Sequence, residues 1–239
     1  DYRNMNINKL GFIGLGNVGI NLVNNLINKK TKINVFDINT KRYLKLKNKN
    51  IKICNNLKEL ATSSKIIITC LPSPKAVSNV IEKLLPNINN SHLWIEMSTT
   101  DKNELIRLAK IFKKKGGNVL EAPITGGAHR AKSGNISILV SGDKKNFKRA
   151  FPILSKMGYK ILFCGKLGNA SILKVTTNYL ASLHLLGIGE ALTVSKKHNL
   201  DLGLTFNAIK ISSGNSFVNE TETKVILSGS YDVGFTMDL

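Results

Sequence analysis

Lys174 and Asn178 stand four residues apart in an apolar stretch that reads as one helix from Leu167 to about Lys197. At that spacing both project from one helical face, about 6 Å apart. The rest of the face reads Leu167, Ser171, Ala181 and Leu185. Such a lysine either snorkels to the surface, the ordinary fate of a lone Lys in a lysine-rich chain, or is held inside a cleft. In a cleft it gives or takes a proton at a carbonyl or alcohol oxygen. In Glu121-Ala-Pro-Ile-Thr-Gly-Gly, the Thr125 hydroxyl precedes Gly126 and Gly127. Consecutive glycine N–H groups form an anion-binding nest suited to a carboxylate, and the plain alternative is a glycine-rich turn. Ser98-Thr99-Thr100 follows an apolar strand signal, either as ligand-facing hydroxyls or as a helix N-cap.

The ligand is named by the start of the chain. Lys9 to Gly19 read Lys-Leu-Gly-Phe-Ile-Gly-Leu-Gly-Asn-Val-Gly, a strand running into Gly-x-Gly-x-x-Gly. A helix with Leu22, Val23, Leu26 and Ile27 on one stripe follows, then the strand Ile33–Phe36 and the carboxylate of Asp37. This is the spacing of a dinucleotide site. Gly14 allows the tight turn, Gly16 lets the backbone approach a pyrophosphate, and Gly19 lets the helix pack closely. With Leu15, Asn17 and Val18 between them they make a cofactor loop at a helix N-terminus. Asp37 is the expected acceptor for the adenine-ribose hydroxyls, which favours NAD over NADP; Lys41 and Arg42 nearby soften that preference.

Strand and helix signals then alternate. Strands are expected at Leu10–Ile13, Ile33–Phe36, Ile51–Cys54, Ile66–Leu71, Leu93–Glu96, Val119–Ala122, Ile136–Val140 and Ile161–Phe163. Helices are expected at Val18–Ile27, Leu57–Ala61, from Pro74 to Leu85, from a cap at Ser98–Asp101 to Lys115, and at Phe147–Met157. The alternation predicts an α/β fold, a doubly wound parallel sheet of Rossmann type, over residues 1–166. Ligands in such sheets bind outside the carboxyl ends of the strands. Leu71 and Pro72 lie at one such end, where Pro72 and Pro74 either stiffen the chain beside a nucleotide or simply turn it into a helix. Residues 167–239 read as the start of an all-α second domain entered through the long helix, with Leu204–Ile211 as a further helix. Too few helices follow to bury that helix's apolar face. The expectation is an incomplete domain that associates through exposed apolar surface.

The chain has 239 residues and a formal charge of +20. The excess is almost all Lys, accompanied by abundant Asn and Ile, which is the signature of AT-rich codons. Nucleic-acid readers favour Arg and interleaved aromatics, and aromatics are only 6% here, so no nucleic-acid partner is expected. No apolar run is long enough to span a bilayer, and Asp1–Asn8 is too polar for a signal peptide, with Met5 a plausible start. Cys54, Cys70 and Cys164 lack metal spacing and read as reduced core thiols of a cytoplasmic protein. No metal is expected.

These motifs together resemble the β-hydroxyacid dehydrogenases, and among them the 3-hydroxyisobutyrate dehydrogenases. Phe12-Ile-Gly-Leu-Gly-Asn-Val-Gly19 is similar to that family's cofactor loop, with Val18 where Met is usual. Glu121-Ala-Pro-Ile-Thr-Gly-Gly with Ser133-Gly-Asn-Ile-Ser-Ile resembles its substrate signature, Glu121 standing where Asp is common. Gly165-Lys-Leu-Gly168 followed by Lys174 and Asn178 resembles its catalytic signature, with Ala170 and Thr177 departing from it. Ser212-Ser-Gly-Asn-Ser resembles a loop of its second domain. The resemblance implies NAD-linked oxidation of a small 3-hydroxy acid to its semialdehyde. Lys174 would be general acid/base and Asn178 would orient substrate or lysine. Ser98, Thr125, Gly126 and Gly127 would hold the substrate, and Leu71, Pro72 and Thr99 would join the cofactor loop. It also implies a homo-dimer or homo-tetramer, and a Lys-Asp-Leu motif that this chain, ending at Asp238-Leu239, stops short of. Tartronate semialdehyde reductases share every motif, and a dinucleotide-binding sensor is the non-enzymatic alternative.

Overall fold

The computed structural model describes residues 9–27, 31–46 and 50–230. The expectations on Asp1–Asn8 and on Met237–Leu239 lie outside them. Two compact units are distinguished, one up to Lys174 and one from Val175 onward.

The first unit is built on a sheet whose strands β1 (Leu10–Ile13), β2 (Ile33–Phe36), β3 (Ile51–Ile53), β4 (Ile66–Thr69), β5 (Leu93–Glu96) and β6 (Asn118–Glu121) lie in the order β3-β2-β1-β4-β5-β6. All six run parallel. The order reverses between β1 and β4, which is where open sheets of this kind bind ligands. Helices α1 (Gly19–Leu26), α5 (Gly127–Lys132) and α6 (Lys144–Met157) pack among themselves and on one side. Helices α2 (Leu57–Ser63), α3 (Pro74–Leu84) and α4 (Lys102–Lys114) form the other layer. Each layer closes its own core, so the β4 run Ile67-Ile68 is buried on both faces. Trp94 and Phe112 anchor the α4 side, their rings 5.6 Å apart.

The sheet is the expected doubly wound, mostly parallel one, with one antiparallel departure beyond β6. β8 (Ile136–Gly142) runs antiparallel to β6 and to the two-residue β7 (Ile124–Thr125), and β9 (Gly158–Phe163) then pairs parallel with β8. The connection between β6 and β8 carries β7 and the six-residue α5, and β7 pairs antiparallel with β8 as β6 does. Neither β7 nor α5 has a periodicity visible in sequence.

Helix ends follow their caps. Asp101 accepts from the N–H groups of Asn103 and Glu104 and is itself the N-cap of α4, which leaves Ser98–Thr100 free of that role. Asp143 caps α6 three residues earlier than the periodicity suggested. Each cap contributes about 1 kcal/mol. β4 ends at Thr69 rather than Leu71, because the Leu71 N–H leaves the ladder and donates to Ser98 Oγ at 2.8 Å.

Helix α7 (Asn169–Lys197) is 29 residues long. It begins two residues after the expected Leu167, because Gly168 sits at φ +95°, outside right-handed helical space. In the second unit, α8 (Leu202–Lys210) is joined by α9 (Phe217–Leu227), a helix the sequence does not announce because Thr and Asn dilute its apolar stripe. Ser216 caps it through Asn219 N–H. Along α7 the side chains of Leu180, Leu183, Leu185 and Leu186 are exposed. No helix among the described residues is long and apolar enough to cross a membrane.

Candidate active site

One row of the sheet carries the site. Ile13 stands opposite Thr69, Thr69 opposite Glu96, Glu96 opposite Glu121, and Glu121 opposite Ser141. This register sets the carboxyl ends of β1, β4, β5 and β6 level, so the loops that leave them begin at one edge.

The glycine loop leaves β1. A Cβ on Gly14 would fall 2.2 Å from the Cys70 carbonyl oxygen, and its φ is +99°. One on Gly19 would fall 2.0 Å from the Gly14 carbonyl oxygen, whereas Gly16 has nothing within 4 Å. Gly14 and Gly19 are therefore needed by the turn itself, and Gly16 leaves an open approach. Among the described residues the N–H groups of Gly16, Asn17, Val18 and Gly19 find no acceptor, at the N-terminus of α1. Open backbone donors at a helix start fit a dinucleotide pyrophosphate. Asp37 closes the loop. Its Oδ2 accepts from Leu15 N–H at 2.5 Å and its Oδ1 from Asn39 N–H at 2.7 Å. Tyr43 holds the same residue from behind: its hydroxyl accepts from Asp37 N–H and donates to Asp37 C=O. Arg42 Nη1 donates to Asn17 Oδ1 at 3.2 Å, so a guanidinium stands beside the loop.

Two buried carboxyl groups sit side by side in the row. Glu96 accepts from Ser98 N–H at 2.6 Å and from Thr69 Oγ1 at 2.5 Å, and Thr69 in turn accepts from Trp94 Nε1. Burial pushes the Glu96 carboxyl up to about 7; the Ser98 and Thr69 bonds oppose the rise and neighbouring Glu121 adds to it. The Ser98 hydroxyl accepts from Leu71 N–H and the Ser98 amide donates to Glu96. Thr99 is half-buried, and the buried Thr100 hydroxyl has no hydrogen-bond partner among the described residues. Pro72 is exposed, and Cys70, its thiol pushed up to about 12 by burial, is no nucleophile.

Thr125 lies on β7, and Gly126 (φ +121°) and Gly127 (φ +71°) turn the chain into α5. Lys174 lies in the first turns of α7 and is only 8% exposed. Burial lowers its ammonium to about 8. Asn178, one turn on, is half-buried and belongs to the second unit.

Comparison with known proteins bears on this arrangement. Residues 9–165 match the model of the NAD binding domain of 6-phosphogluconate dehydrogenase. Residues 168–239 match that of the NAD-binding region of NADP-dependent 3-hydroxyisobutyrate dehydrogenase. The chain belongs to the β-hydroxyacid dehydrogenase family. Mitochondrial 3-hydroxyisobutyrate dehydrogenase of Rattus norvegicus is 30% identical over 90% of this chain and 65% of that protein. 2-(Hydroxymethyl)glutarate dehydrogenase of Eubacterium barkeri is 29% identical over 97% of this chain and 78% of that protein. The chain thus spans roughly two thirds to three quarters of the length of these relatives. A Mycobacterium tuberculosis 3-hydroxyisobutyrate dehydrogenase with L-serine shares the fold at a TM-score of 0.82, with 24% identity over 91% of this chain and 75% of that one. An imine reductase of Myxococcus stipitatus in complex with NADP+ shares it at 0.78, with 16% identity over 92% and 73%.

Within this β-hydroxyacid dehydrogenase the glycine loop, Leu71 and Ser98 come to one edge of the sheet. The sequence missed the partners of Glu96 and Glu121 and the Tyr43 brace on Asp37. None has a local signature, since each bond except that to Ser98 N–H joins residues from different elements.

Proposed function

We propose that the protein transfers a hydride between NAD and a small 3-hydroxy acid, most simply 3-hydroxyisobutyrate, giving the semialdehyde. The observation that carries this is Lys174, a buried lysine brought into the neutral range by desolvation at the start of α7. A general base working near neutrality needs such a value. NAD, when bound, supplies the hydride acceptor. Lys174 takes the hydroxyl proton as the carbinol C–H bond breaks and the C=O bond forms, and returns a proton in the reverse direction. Asn178 orients substrate or lysine; Thr125, Gly126, Gly127 and Ser98 hold the substrate, and the loop 14–19 with Asp37, Leu71, Pro72 and Thr99 holds the cofactor. Both named relatives act on acids with a hydroxymethyl group next to a carboxylate-bearing carbon, which supports a carboxylate-anchored substrate. We assign residues 1–166 to the cofactor domain and 167–239 to the start of a helical substrate and dimerisation domain. A cytoplasmic homo-dimer or homo-tetramer completes the proposal, with the exposed leucines of α7 as the apolar surface to be covered.

The test is NAD-linked oxidation of short 3-hydroxy acids, followed against pH. Oxidation needs neutral Lys174, so kcat/KM rises about tenfold per pH unit below about 8 and levels off above it. Reduction of the semialdehyde needs the ammonium and falls above the same value. A flat profile between pH 6 and 9, or turnover confined to substrates lacking the carboxylate, overturns the proposal.

Cofactor choice rests on Asp37. A carboxyl group pinned by Leu15 N–H is placed to accept from the ribose hydroxyls and to repel a 2′-phosphate. NAD is therefore expected to turn over faster than NADP at equal subsaturating concentration. Asp37→Ala narrows the ratio by on the order of tenfold, since Arg42 then meets a phosphate unopposed. Faster turnover with NADP in the unaltered protein reverses the assignment.

A further inference from the structure

Gly168 stands before Asn169 and has no side chain, where a Ser or Asp would satisfy the first amides of α7 locally. The cap comes instead from the sheet. Glu121 Oε2 accepts from Gly168 N–H at 2.8 Å and from the Ser141 hydroxyl, while Oε1 accepts from Ser171 N–H at 2.5 Å and from the Ser171 hydroxyl. Ser141 Oγ in turn accepts from Ala170 N–H at 3.3 Å. Glu121 and Ser141 are register partners at the ends of β6 and β8, so one buried carboxyl group ties three elements together. Lys174 is the residue three positions after Ser171, on the same side of the helix.

A local cap would stabilise the helix equally well without saying where it stands. A long-range cap from the strand end fixes the first turn against the sheet edge from which the cofactor loop also leaves. We propose that Glu121 is the positioning residue of this active site, holding the first turn of α7 so that Lys174 stands at a set place above the strand ends. This rests on Lys174 being the general acid/base.

Glu121→Gln replaces one acceptor oxygen with an NH2 group that meets N–H donors on whichever side it faces. In the full chain it is expected to lower kcat by on the order of 10–100-fold, with NAD affinity and substrate KM within about twofold of the parent. The apparent pKa of the oxidation profile moves upward from about 8, toward that of a solvated lysine, as Lys174 leaves its buried position. Hydrogen exchange of the cofactor-free protein accelerates at residues 169–175 and stays unchanged in β1 and α1. Ser171→Ala, which keeps the amide and removes one hydroxyl, gives a smaller effect in the same direction and stands in should Glu121→Gln not fold.

A double-mutant cycle with Lys174→Met separates the two ideas. If Lys174→Met retains the parent's kcat, the assignment of the lysine fails whatever Glu121 does. If Lys174→Met is impaired and Glu121→Gln costs nothing further in that background, Glu121 acts through the lysine. If the losses multiply, or if both Glu121→Gln and Ser171→Ala leave the pH profile and the exchange of α7 unchanged, the positioning role is overturned while the lysine assignment stands.

Discussion

Lys174→Ala is expected to lower kcat by on the order of 10²–10⁴, the usual worth of a positioned acid or base, with NAD affinity nearly unchanged. The split follows from placement. Lys174 lies at the start of α7, far in sequence from the glycine loop and Asp37, which make the nucleotide contacts in this proposal. Stopped-flow or steady-state turnover, with NAD binding followed by fluorescence, measures both quantities. The alanine also removes the group whose neutral form drives oxidation, so residual activity should lose its rise toward pH 8. A variant with near-parent kcat and an unaltered pH profile leaves Lys174 a buried structural residue with no part in proton transfer.

Gly14→Ala and Gly16→Ala are both expected to lose NAD binding, but only the first through loss of stability, although both alter the same loop by one methyl group. At Gly14 the new Cβ lies 2.2 Å from a backbone oxygen and the φ of +99° is hostile to any L side chain. Overpacking and left-handed strain together cost about 3 kcal/mol or more, which lowers Tm by roughly 6–12 °C in a protein of this size. NAD binding falls with it, because β1, α1 and the Cys70 turn no longer meet. At Gly16 nothing lies within 4 Å, so Tm stays within about a degree while NAD affinity drops by on the order of tenfold or more, the methyl group occupying the pyrophosphate's approach. Thermal melts and cofactor titration of the two variants check this. Equal melting temperatures would contradict the geometry of the Gly14 turn. Unchanged NAD affinity in Gly16→Ala would move the pyrophosphate elsewhere.

Local chemistry made the first half of this protein legible without coordinates. The glycine loop, the Ile67-Ile68 strand buried on both faces and the cap at Asp101 are decided by residues within a few positions of each other, and all fall at or within a few residues of where periodicity and capping rules put them. Asp37 at the end of β2 belongs with them, since strand–turn–helix–strand is a single short unit. Legibility failed where structure depends on partners distant in the chain. The antiparallel pairing of β8 with β6 and β7 is a fact about the path of the chain and not about the composition of β8. α7 starts at Asn169 because Gly168 is turned into positive φ and its amide is taken by Glu121, 47 residues earlier. The exception is α9, illegible for a local reason, since Thr and Asn dilute its apolar stripe.

The residue types of the site were therefore written in the sequence, and their relations were not. Lys174 reads from its residue type and spacing as a lysine whose ordinary fate is to snorkel; only packing makes it 8% exposed and lowers its ammonium. Glu121 reads as one letter of a motif; only the register that aligns Thr69, Glu96, Glu121 and Ser141 across adjacent strands turns it into the cap of a helix that begins 48 positions later. The physical reason is one of range. Backbone propensity and capping act over one turn or one strand, whereas burial, buried carboxyl pairs and long-range caps exist only after the sheet has brought distant residues within hydrogen-bonding distance.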